Sequence, residues 1–124
     1  AMFATTRALD QFRNAVAFSK ANGKVVVTHA GLMTGPDGAS HQSLEDLAVA
    51  RTLPNLRVIV PADAVETAQV IRFVAREPGP FYVRLVREKT PILYDDTYKF
   101  QLGKASVFSI VRDFNCKDVV SGKP

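Results

Sequence analysis

The sequence predicts an α/β domain in three layers around a mainly parallel sheet, and three observations predict it. Short apolar β-branched runs stand at Val25–Val27 and Val58–Val60, the pattern of strands buried on both faces, and Phe81–Val86 reads as a third strand. Helical patterns alternate with them, as parallel strands joined by right-handed crossovers require. A glycine-rich stretch over residues 30–42 follows the first run. It exceeds the roughly two to six residues usual for such connections, and long loops at the carboxyl ends of parallel strands are where open α/β folds bind ligands.

Each element has a local reason. From Thr5 to about Asn22, Leu9, Phe12 and Val16 recur at spacings of three and four with Arg7, Asp10 and Arg13 between them, a helix that Asn22-Gly23 stops. After the long loop, Ser43 with Asp46 forms a capping-box signal, and Leu44, Leu47 and Ala48 mark the expected apolar face. Beyond the second strand, Asp63 with Glu66 caps another helix, whose expected apolar face includes Ala64, Ala68, Ile71 and Ala75. Pro78-Gly79-Pro80 ends it before the third strand.

Composition narrows the function classes. The 124 residues are 47% hydrophobic and 23% charged, the balance of one ordinary globular domain. The formal charge is +4, but Lys and Arg are scattered, which argues against the basic stripe of a nucleic-acid binder and leaves small acidic molecules as partners. The one cysteine, Cys116, excludes a disulfide framework and a multi-cysteine zinc site and fits a reducing, cytoplasmic compartment. No apolar run approaches a membrane span, and the start shows no signal peptide. The chain opens on a helix with no strand before it, and Lys117–Val120 reads as the start of a strand near its end, so the sequence reads as a piece of something larger.

Both histidines flank the long loop, His29 after the first strand and His41 before the next helix, with Asp37 between them in Gly35-Pro36-Asp37-Gly38. Pro36-Asp37-Gly38 alone is a tight turn, and His29 or His41 alone is an unremarkable strand-end or surface residue. Together, two imidazoles and a carboxylate over the strand ends can orient a polyhydroxylated substrate and move protons near neutral pH. Without a second carboxylate they are a weak metal signal, and no metal ligand is expected.

These residues carry a resemblance. Thr28-His29 with Gly35-Pro36-Asp37-Gly38-Ala39-Ser40-His41-Gln42 resembles the TH…GEDGxTHQ signature of transketolases. The likeness continues through Glu45-Asp46-Leu47-Ala48, Arg51-Thr52-Leu53-Pro54-Asn55, Pro61-Ala62-Asp63-Ala64-Val65-Glu66-Thr67 and Gly79-Pro80-Phe81-Tyr82-Val83-Arg84-Leu85. It covers about residues 1–105, assigned to a pyrimidine-binding domain of the thiamine-diphosphate-binding fold that lacks its amino-terminal part. Residues 106–124 are assigned to a tail or linker. Phe3-Ala4-Thr5, Arg7-Ala8 and Asp10-Gln11 are similar to the split type, whose carboxyl half is a separate subunit. Pro36 departs from the family's usual acidic residue but leaves Asp37 and His41 in register.

The resemblance implies the roles. Phe3 helps wall the aminopyrimidine of thiamine diphosphate, and Asp37 bonds a sugar hydroxyl. His41 contacts the substrate oxygen and assists proton transfer, and His29 and Arg87 hold the distal phosphate. A guanidinium suits phosphate on physical grounds as well. Arg84 competes for that role, but alternation puts it on the opposite face from Leu85 and Arg87. The family's activating glutamate, in a segment like GIAEQ, has no counterpart here. The diphosphate and its Mg2+ are expected on an amino-terminal subunit or domain, within an oligomer acting on sugar phosphates. The expected reaction is transfer of a two-carbon ketol unit, with the chain inactive alone. A deoxyxylulose-phosphate synthase-like enzyme and a non-catalytic interaction module of the same fold are the alternatives. His29, Asp37, His41 and Arg87 are expected to share one open cleft, and an apolar patch is expected where another chain docks.

Overall fold

A computed structural model describes residues 1–107. Its elements in chain order are α1 (Met2–Thr5), α2 (Leu9–Gln11) running into a π-helical stretch (Phe12–Phe18), and β1 (Lys24–Val27). A 3-10 segment (Leu32–Asp37), α3 (Asp46–Thr52), β2 (Arg57–Ile59), α4 (Ala64–Arg76) and β3 (Phe81–Arg84) follow. The expectation for residues 108–124, including the strand start at Lys117, falls outside the described residues.

The three strands form one parallel sheet in the order β1-β3-β2. The last strand therefore lies in the middle, and its Phe81, Tyr82 and Val83 are fully buried. Alternation along β3 divides the interior. Tyr82 joins Phe12, Ala17, Ala50 and Leu53 under α3 and the π-helical stretch. Phe81 and Val83 join Ile59, Val70 and Val74 under α4. Helices on both faces give three layers around the sheet.

Several sequence expectations are corrected. The first and second strands are edges, not fully buried: Val26 is 44% exposed, because α4 covers β3 and β2 while nothing among the described residues covers that side of β1. The first helix begins at Met2, breaks over residues 6–8 and widens into π turns, although Leu9, Phe12 and Val16 do pack into the core. The capping box at α3 does not form. Glu45 holds the N-cap position without a side-chain capping bond, its Oε2 accepting from the Leu44 amide instead, and the Asp46 carboxylate turns inward to Tyr82 and Arg84. Leu44 is 67% exposed, and α3 buries Asp46 and Ala50 instead of the expected face.

At α4 the expected cap does form. Asp63 Oδ1 accepts from the Glu66 amide at 2.8 Å, and Glu66 Oε2 accepts from the Ala62 amide at 2.8 Å. The expected face does not. Val70 and Val74 meet the sheet, and Ala64, Ala68, Ile71 and Ala75 form an exposed stripe beside them. No helix among the described residues is long and apolar enough to cross a membrane.

Candidate active site

The long loop leaves the carboxyl end of β1 and is tied at its base. An isolated bridge joins Ala30 to Ser43, and the Gly31 amide donates to Ser43 O at 2.9 Å. Within it, the Gly38 amide donates to Gly35 O at 3.1 Å and the His41 amide to Gly38 O at 3.0 Å, so Pro36-Asp37-Gly38 is the tight turn its composition suggests. Gly35, at φ +66°, kinks the backbone between two short helical turns. His29 itself adopts φ +56°, a conformation that costs a side-chain-bearing residue about 1 kcal/mol or more. Buried Thr34 holds it there, its Oγ1 donating to His29 O at 3.0 Å.

This folding brings the chemistry-bearing groups together. A cleft of about 460 Å3 is lined by Ala1, Met2, Phe3, Ala4, Val27, Thr28, His29, Asp37 and His41. His29 Nε2 lies 3.9 Å from Asp37 Oδ2, and Arg87 Nη1 lies 3.6 Å from Asp37 Oδ1. Arg87 Nη1 also donates to Thr34 O at 2.7 Å. Arg87 thus stands behind Asp37 rather than in the cleft wall. Phe3 and His41 meet edge to face, 5.2 Å between ring centroids. The two histidines open into the same cleft, not onto opposite faces of the sheet.

Each imidazole has a hydroxyl neighbour in sequence: His29 Nδ1 is 2.9 Å from Thr28 Oγ1, and His41 Nδ1 is 3.0 Å from Ser40 Oγ. With Nδ1 engaged locally, Nε2 is the nitrogen each ring presents for further chemistry. Sequence reasoning passed over these hydroxyls, though the repeated hydroxyl–histidine pair at 28–29 and 40–41 was a visible signal. It also passed over Thr34, whose role depends on a carbonyl, and Arg7, whose guanidinium carbon lies 4.9 Å above the Phe3 ring. Arg84, the alternative phosphate group, instead turns to the Asp46 side.

A second cavity of about 530 Å3 lies beyond β2 and β3, among Pro61, Ala68, Leu85 and Ile92. Its lining also includes Asp63, Glu88 and Lys89 and carries no histidine. No group of three or more His, Cys, Asp or Glu able to hold a metal occurs among the described residues.

Residues 1–92 match the transketolase, pyrimidine binding domain family. The chain belongs to that family. Over 108 residues it is 47% identical to a Methanocaldococcus jannaschii protein provisionally described as a transketolase C-terminal section, covering 86% of this chain and 34% of the relative. It is 37% identical to one of the subunits of the apulose-4-phosphate transketolase of Phocaeicola vulgatus, with the same shares covered. Among solved structures it superimposes on a split-gene transketolase described as an inactive β4 tetramer, at TM-score 0.72 and 40% identity, covering 83% of this chain and 32% of that one. The chain spans about a third of the length of these relatives. Its residues 1–92 are a transketolase pyrimidine-binding domain.

The residues present fit one part of the thiamine diphosphate that this transketolase domain implies. Phe3 is about half exposed and, with Met2, Ala4 and Val27, offers an apolar wall for a flat ring.

Proposed function

We propose that this chain supplies the substrate-handling half of a transketolase active site that moves a two-carbon ketol unit between sugar phosphates. One observation carries the reading: His29, Asp37 and His41 line one cleft beside the exposed Phe3 ring. Thiamine diphosphate, when bound, supplies the nucleophilic carbon for cleavage next to a carbonyl. Phe3 walls its pyrimidine. His41 Nε2 exchanges a proton with the substrate oxygen as the carbon–carbon bond breaks or forms. Asp37 accepts a hydrogen bond from a sugar hydroxyl and so selects its configuration. His29 and Arg87 attract the terminal phosphate, and Arg87 also steadies Asp37.

An amino-terminal partner holds the diphosphate and Mg2+. Description of one relative as an inactive β4 tetramer supports both self-assembly of this chain and inactivity without that partner, and the exposed apolar stripe on α4 offers a surface for assembly. The pyrimidine-binding unit is assigned to residues 1–105, with 106–124 leading onward, in a cytoplasmic enzyme. The decisive experiment combines the purified chain with an amino-terminal transketolase subunit, thiamine diphosphate and Mg2+, and follows ketol transfer from a ketose phosphate. Activity only in the mixture is expected. Persistent inactivity, in a mixture shown to form a complex that binds the cofactor, would leave an interaction module as the better description.

A further inference from the structure

The Asp46 carboxylate is completely buried, yet it caps nothing. Its Oδ2 accepts from the Tyr82 hydroxyl at 3.0 Å and from Arg84 Nε at 2.8 Å. Oδ1 has no hydrogen-bond partner among the described residues. A buried charge in this state persists only where its partners are held in good geometry, and burial together with the adjacent carboxylate pushes the Tyr82 hydroxyl far above its usual range, keeping it a donor.

Arg84 extends from this anchor to the functional loop. A Cβ on Gly31 would stand 3.2 Å from Arg84 Nη2, so the guanidinium lies against the backbone of the loop's first glycine. Gly31 adopts φ +68° and donates the bond to Ser43 that closes the loop. A side chain there would be strained by the backbone angle and crowded by the arginine. Farther along, Arg87 Nη1 takes the Thr34 carbonyl. Two arginines at the end of the central strand therefore support the loop at two points, between them spanning the segment that separates His29 from Asp37.

We propose that Arg84, locked by Asp46 and Tyr82, is a positioning residue: a strut that holds Gly31 and, through it, sets the register of His29 and His41 for ketol transfer. The catalytic part of this inference rests on the function proposed above. The mechanical part does not. The planar fork matters as well as the charge, because Nε serves Asp46 while Nη2 faces the loop, and a lysine has one nitrogen for both tasks.

The test uses the full chain with Arg84→Lys, which keeps a cation beside Asp46, and Asp46→Asn, which removes the charge that anchors the strut while keeping the shape. Amide hydrogen exchange followed by NMR reads Gly31 against Phe81–Val83 in the central strand. Exchange at Gly31 should quicken by about tenfold or more in both variants while the central strand keeps its protection, a local opening rather than global unfolding. The same variants assembled with the amino-terminal subunit should lose kcat by on the order of ten- to a hundred-fold, with a smaller change in KM for the donor. Wild-type protection of Gly31 in Arg84→Lys, or loosening only in step with the central strand, overturns the proposal. So does a wild-type kcat for Arg84→Lys in an assembly whose parent is active. Local loosening of Gly31 with no ketol transfer even by the parent would uphold the strut and refute the functional reading instead.

Discussion

The two ends of the sheet use the same kinds of residue to opposite effect. At the amino-terminal end, Lys24 Nζ donates to Glu77 O at 2.8 Å, to Gly79 O at 2.7 Å and to Asn22 Oδ1. Arg57 bonds Glu77 Oε1 at 3.2 Å and Pro78 O, and lies 3.8 Å over the Phe81 ring. Its cations are committed to carbonyls of one turn, which fastens the end of α4 to the strands. At the carboxyl-terminal end, Arg87 also grips a carbonyl and Arg84 lies against the Gly31 backbone, but the loop leaves His29, Asp37 and His41 open to solvent. Saturated polar groups make a fastening, whereas supported but unsaturated ones make a site. Substitutions at the first end should change stability, and those at the second should change chemistry.

The largest effect expected at the carboxyl-terminal end is that of His41→Ala. In the reconstituted enzyme its kcat should fall by on the order of a hundred-fold or more, the usual contribution of a positioned acid–base group. Its thermal midpoint should stay near that of the parent, because the ring is exposed. A normal kcat would move the proton-transfer role elsewhere. Arg87→Ala should follow, raising KM for a phosphorylated donor by roughly ten- to a hundred-fold through loss of a charge-assisted contact. The bond to Thr34 and the proximity to Asp37 predict a smaller loss for an unphosphorylated donor too. Equal weakening of both donors would make Arg87 a loop fastening only, like its counterparts at the other end.

The comparison also explains what was legible in the sequence. His29, Asp37 and His41 stood out because a loop has little reason to hold two histidines and a carboxylate, and the α4 cap could be read because Asp63 and Glu66 interact across three residues. Asp46 presents the same local pattern after Ser43 but is claimed by Tyr82 and Arg84, 36 and 38 residues away. No local rule sees such partners. The α4 face failed for another reason. Ala64, Ala68, Ile71 and Ala75 make as regular a stripe as Val70 and Val74, and periodicity cannot say which stripe meets a sheet. The fully buried strands were misassigned in part because the order β1-β3-β2 is a property of the crossovers, which leave the first two strands as edges.

At the fastening end the expected effects are smaller and thermodynamic. Lys24→Met, which keeps the aliphatic stem and removes the donors, should cost about 1–2 kcal/mol, since a charged group is lost from partly exposed carbonyls. A denaturant titration should show the midpoint falling with an unchanged slope. KM and kcat of the reconstituted enzyme should not move while the chain is folded. A change in kcat would mean that the two ends are mechanically coupled through β1.

Asp63 lies between these extremes, at the start of α4 on the same side of the sheet as the loop, but saturated like the fastenings. Its Oδ1 takes the Glu66 amide, and its Oδ2 takes the Leu93 and Tyr94 amides at 2.8 and 2.9 Å. Burial alone would raise its carboxyl. The amide donors, Glu66 foremost, outweigh burial and hold it below the usual carboxylate range. The sign follows from the lowered value. The folded chain favours the ionised form, so Asp63 contributes its full stability above the unfolded value of about 4 and loses it as pH falls through the lower folded value. Asp63→Asn should therefore lower the thermal midpoint at neutral pH, by a capping loss of about 1 kcal/mol. Between pH 4 and pH 2 its midpoint should fall less steeply than the parent's, so the two curves converge in acid. Parallel curves over that range would show that Asp63 titrates alike in the folded and unfolded chains, and that the strap at Leu93 and Tyr94 does not depend on its charge.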